Sequence, residues 1–257
     1  VAVELEGFRE TLSRVLGERV TATAVPTVVV VFPSDTAIAP FRPKYNGKPV
    51  GVAGLFVPGR DLNYIALIDD GRPERLCTVF HEYTHLLISH PDQPLPLWLN
   101  EGLAEYYSTF ELQPDGRGAL IGTVIDDHLA TLNHTVLIKI EDLLRIDQGT
   151  PLYNEGSRRG VFYAQSWALT HLILLGQPPH LKELNAYLDN LSAGQEPTPA
   201  WQAAFGAADM KKAIEDYVRQ RLFLAQKPAF SDAIAKFEPR TVSLKPAEVQ
   251  SYLADLQ

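Results

Sequence analysis

The sequence predicts an α+β fold: a small N-terminal mixed sheet with one helix, followed by a mostly helical part. Two observations carry this. Runs rich in β-branched residues, "PTVVVVFPS" and "GVAGLFVPGRDLNYIALID", occur early in the chain and are bounded by proline and glycine. Beyond Pro73 the apolar residues recur instead at helical spacing. With 257 residues, 46% hydrophobic and 21% charged, the chain suffices for one large domain, or one domain with a small appendage.

The elements follow in order. Residues 4–18, "ELEGFRETLSRVLGE", set Leu5, Phe8, Leu12, Val15 and Leu16 on one helical face. "PTVVVVFPS" is a strand, and "GVAGLFVPGRDLNYIALID" makes two strands around a Pro58-Gly59 turn. Of these, "LNYIALID" (62–69) is expected at a sheet edge, where an extended peptide can add as a further strand. Pro73 and Glu74 suit a first helical turn, and that helix runs to about His90, where Pro91 stops it. After the connector "PDQPLP", a second helix covers 97–110. A Gly/Asp turn at 114–118 precedes a strand at 119–125, and helices are expected near 139–146, 161–176 and 180–191. "GQEPTP" (194–199) reads as a linker, with helices at about 208–224 and in "SLKPAEVQSYLADLQ" beyond it. The expected divisions are an α/β lobe at 1–72, a helical lobe at 73–193 and a helical extension at 194–257.

Charge and cysteine content exclude several classes of function. A net charge of −8 and a pI near 5.4 argue against nucleic acid or an anionic membrane as the main partner. No apolar run approaches the roughly 20 residues of a membrane span. The lone Cys77 excludes an intramolecular disulfide and a four-cysteine metal site, and suits a small packing residue. The chain opens on Val1 rather than Met, so it is expected to be a segment of a longer polypeptide.

Chemistry concentrates in two neighbouring stretches, "FHEYTHLL" (80–87) and "LWLNEGLAEYY" (97–107). Helical residues four apart share a face, about 6 Å apart along the axis, so His81 and His85 can aim two imidazole nitrogens at one ion. Glu82 lies about 100° around the helix, beside that ion and placed to act as a general base. A hydrolytic centre needs a third ligand. His90, with proline next, faces away from the pair, whereas Glu101 lies on a helix able to pack antiparallel to the first. Glu105, four residues on, can accept a hydrogen bond from the far nitrogen of His81 or His85 and so fix its tautomer. Taken singly, Glu101 and Glu105 also suit a solvated helix face. Together, imidazoles and carboxylates in apolar surroundings would be costly to bury without a cation. Glu155 in the second "NEG" (154–156) precedes a polar, turn-like run and reads as loop surface.

"TVFHEYTHLL" followed by "PLWLNEGLAEYY" resembles the gluzincin zinc metallopeptidases, and more narrowly the bacterial peptidase-MA-like proteins, in which tetratricopeptide repeats often follow the catalytic unit. The resemblance is strong over 78–108 and weaker over 160–176. It implies a zincin-like fold and a hydrolase that uses Zn2+ on peptide or protein substrates. His81, His85 and Glu101 would be the metal ligands and Glu82 the base, with Glu105 behind the ligands. "GVFYAQSWALTHLIL" resembles the segment that supplies an oxyanion-stabilising tyrosine, which gives Tyr163 that role, with Tyr153 in reserve. A tyrosine packed in the core is the alternative for Tyr163, and His171, two turns on, reads as structural. No Gly-x-Met-Glu-Asn stretch is present, and 50–68 contain no glutamate to bind a free amino terminus, which favours an endopeptidase over an aminopeptidase. The resemblance also implies an exported, periplasmic protein. Two other readings remain: a non-catalytic gluzincin-like module that binds a peptide or protein, and a purely structural zinc closed by His90 or Asp92.

Overall fold

The computed structural model describes residues 2–16, 25–42, 44–45, 48–49, 54–57, 59–68, 76–88, 94–147, 149–150, 156–206, 208–230, 238 and 242–255. It is α+β, as the apolar patterning predicts. In chain order the elements are α1 (Ala2–Leu16), β1 (Thr27–Phe32), α2 (Asp35–Ile38), β2 (Lys44–Tyr45), β3 (Lys48–Pro49), β4 (Gly54–Val57), β5 (Asn63–Ile68), α3 (Cys77–Ile88) and α4 (Leu97–Ser108). There follow β6 (Glu111–Leu112), β7 (Ala119–Leu120), α5 (Asp126–His134), α6 (Ile140–Leu143), α7 (Gly156–Leu175), α8 (Leu181–Ser192), α9 (Pro197–Phe205), α10 (Met210–Tyr217) and α11 (Pro246–Ala254). Two compact units emerge, one from residues 1–87, 110–119 and 228–257, the other from 88–109 and 120–227. No helix among the described residues is long and apolar enough to cross a membrane.

The first unit is organised on a sheet of order β1-β5-β4, with β5 parallel to β1 and antiparallel to β4. The segment expected at the edge is therefore the central strand. Its burial explains why: Asn63 to Leu67 are all buried, as in a strand covered on both faces and paired on both sides. Tyr64 and Ala66 point to one face, where they cluster with Phe32 and Ile38, and Tyr252 and Leu253 of α11 pack against that cluster. The Tyr64 hydroxyl donates to Asp255 Oδ2 at 2.6 Å, and this carboxylate pushes the phenol up to about 12. Ile65 and Leu67 alternate to the opposite face.

Aromatic stacking orients α3 in this unit. Phe8 of α1 stacks on Phe80 at 4.6 Å and lies 5.8 Å from Tyr83, while Phe110 meets both Phe8 and Phe80 edge-on. Leu76, Val79, Phe80, Tyr83, Thr84 and Leu87 are buried, a helical repeat of three and four. His81, Glu82 and His85 fall outside that stripe and are only half-buried. The Thr84 hydroxyl satisfies itself on the Phe80 carbonyl at 2.7 Å, so a polar residue sits in the apolar face without a lost hydrogen bond.

The second unit is helical around α4 and α7. Every α4 residue from Trp98 to Ser108 is buried except Asn100 and Glu105, which are half-buried. Close approach of α4 and α7 depends on Gly102: a Cβ there would collide with the Ser166 carbonyl and the Thr170 hydroxyl. Trp98 adds an aromatic cluster with Tyr187 of α8 and Trp201 of α9. The presence of α9 corrects the linker expected at 194–199. Pro197 stands in the first turn, where its missing N–H costs nothing, so the proline that reads as a breaker opens a helix. The helix expected at 208–224 ends at Tyr217, and the chain beyond it forms bridges from Gln226 to Ile121 and from Ala229 to Gly118.

His171 ties this unit together. Its ring is fully buried; Nε2–H donates to the Gly122 carbonyl, and Nδ1 accepts from the Tyr217 hydroxyl, both at 2.8 Å. A carbonyl can only accept, which fixes the neutral tautomer. Gly122 itself has φ of 71° and no room for a Cβ beside the Tyr106 ring. Burial lowers the His171 pKa. Below the unfolded value of about 6.5, the unfolded chain then binds a proton that the folded chain refuses, so stability falls as the pH drops through that range. Chemical denaturation from pH 7.5 to 5 should record this decline, and His171→Gln should flatten it.

Candidate metal centre

The opposed demands on α3 place the functional groups. Its apolar stripe is held by Phe8 and Phe110, which leaves His81, Glu82 and His85 on the remaining surface. There the two Nε2 atoms face each other at 3.1 Å, with the rings 4.8 Å apart and nearly perpendicular. Two imidazolium rings would repel at that distance. The pair can share one proton or one cation. On α4 the Glu101 side chain is buried, with a residue exposure of 4%. One ligand atom from each of His81, His85 and Glu101 lies within 4.8 Å of the others.

These residues fit a divalent cation. An ion bound at about 2.0–2.1 Å with tetrahedral angles sets neighbouring ligand atoms about 3.3–3.4 Å apart, close to the spacing of the two nitrogens. Burying a carboxylate among apolar groups is costly unless a positive charge meets it. Two imidazoles and a carboxylate thus form a site that can hold a metal ion.

Residues 75–197 match a family described as a protein of unknown function, DUF1570. The DUF1570 match takes in α3 through α8, and with them all three ligand candidates. No curated protein and no solved structure matches the chain.

The other residues within the DUF1570 match are placed as follows. Glu82 is half-buried, next to His81. Glu105 accepts a hydrogen bond from His128 Nε2 of α5 at 3.1 Å, an ion pair whenever the imidazole is protonated. His128 escapes sequence reasoning, because a single histidine 23 residues from its partner leaves no spacing signal. Tyr163 is half-buried on α7, with its ring edge-on to Phe162 at 5.7 Å. His90, Asp92, Tyr153 and Glu155 lie outside the described residues.

Proposed function

We propose that this chain is a zinc-dependent metallopeptidase of the gluzincin type, related to the peptidase-MA-like proteins and acting as an endopeptidase. The observation that carries the reading is the meeting of His81, His85 and Glu101, the histidine pair of "HEYTH" and the carboxylate of "NEG". These three would hold the ion, and two nitrogens with one carboxylate oxygen form a donor set typical of hydrolytic zinc. When bound, zinc supplies Lewis-acid polarisation of the scissile carbonyl and lowers the pKa of the attacking water to about 7.

The chain's own residues then divide the remaining work. Glu82 takes the proton of the attacking water and passes it to the leaving amine, a role that its place beside His81 supports. Tyr163 donates a hydrogen bond to the oxygen that becomes negative as the carbonyl is attacked. Glu105 orients a ligand imidazole. The same resemblance supports an exported, periplasmic setting.

Zinc analysis of the purified chain, paired with cleavage of casein and a peptide library, tests this. We expect about one zinc per chain, hydrolysis that stops on chelation and returns with Zn2+, and neither property in His85→Ala. A zinc-free wild type, or turnover that chelation leaves untouched, refutes the proposal.

A further inference from the structure

We propose that His128 is a positioning residue for the metal centre, holding Glu105 in one orientation; this rests on the metal reading above. Glu101 and Glu105 are four apart on α4, hence neighbours on one helical face, where like charges repel. On α4, Glu105 is a second carboxylate that could swing towards Glu101's place as a rival ligand. The structure gives Glu105 a different task. His128 Nε2 lies 3.1 Å from its Oε2, and both side chains are only 17% exposed. A carboxylate only accepts, so Nε2 carries the proton and donates it. The His128 ring is held in turn by α5, and lies 5.8 Å from the fully buried Trp167 ring of α7. One Glu105 oxygen is thereby tied to α5, one helical turn along α4 from Glu101.

Zn2+ affinity, measured on the 257-residue chain by competition with a chromogenic chelator, tests this in wild type, His128→Leu, His128→Gln, Glu105→Ala and the His128→Leu/Glu105→Ala double variant. Circular dichroism checks folding, and the visible spectrum of the Co2+-loaded chain reports the ligand geometry. We expect His128→Leu to bind Zn2+ about tenfold more weakly and to alter the Co2+ spectrum. His128→Gln, whose amide N–H stands close to where the imidazole Nε2 stood, should restore most of the affinity. In the Glu105→Ala background, which offers His128 no acceptor, the His128→Leu loss should vanish, since the two residues act as one unit. Should His128→Leu not fold, His128→Asn replaces it: its shorter amide falls short of Glu105, and the same loss against His128→Gln is expected. Affinity unchanged in the donor-removing variant, or lost equally with and without Glu105, overturns this inference alone. A wild type that takes up no Zn2+, like His81→Ala, overturns the metal reading and this inference together.

Discussion

On the metallopeptidase proposal, Glu82→Gln is expected to bind zinc as wild type does and to hydrolyse peptides about 10²–10⁴-fold more slowly. Glutamine preserves the size and the hydrogen-bonding reach of the side chain but cannot accept a proton at neutral pH. Glu82 is half-buried and outside the stripe that packs α3 onto Phe8 and Phe110, so the exchange leaves the helix seated. Ligand atoms and base are thus separable: metal content reports on His81, His85 and Glu101, and turnover reports on Glu82. The measurement is kcat/KM on a peptide cleaved by wild type, with zinc content determined on the same sample. Equal rates would remove Glu82 from the chemistry, whereas loss of zinc would show that its effect runs through the ligands.

Gly102→Val is expected to cost several kcal/mol, enough to unfold the helical unit or to strip it of metal, and Gly102→Ala about 1–3 kcal/mol. Alanine would ordinarily favour a helix by up to about 1 kcal/mol over glycine. Here that gain is outweighed. The Thr170 hydroxyl can rotate away from a new Cβ, but the Ser166 carbonyl belongs to the α7 backbone and can yield only by moving the helix. Because Glu101 is the preceding residue, any outward shift of α4 displaces the carboxylate as well. Urea unfolding monitored at the buried tryptophans gives the stability, and zinc titration gives the second effect. A Gly102→Ala protein as stable as wild type would show that α4 and α7 are not held in close contact at this residue.

The helices and the facing of His81 and His85 are legible in the sequence for one reason: their signals are local. A stripe repeating every three to four residues marks α1, α3 and α8, and the four-residue interval of "HEYTH" sets two imidazoles on one face wherever the helix lies. What the sequence hides is pairing. Whether "LNYIALI" is central or at an edge depends on β1, more than thirty residues earlier in the chain, and β-branched composition suits either place. The 194–199 segment failed for a different reason: proline stops a helix from within but opens one from its first turn, and only packing of Trp201 against Trp98 and Tyr187 decides between them. Glu105 was visible from its interval to Glu101, whereas His128 reaches it only through the docking of α5.

The seat of Tyr252, Leu253 and Asp255 on the β-sheet has a consequence for the order in which the protein is made. As the polypeptide leaves the ribosome, β1, β4 and β5 emerge well before α11, so one face of their sheet is covered only in part, by Ile38 and Phe41, until Tyr252 and Leu253 have been added. The helical unit, whose last residue is 227, is complete well before then. Synthesis therefore finishes the half that carries Glu101 first, and closes the half that carries the two histidines last.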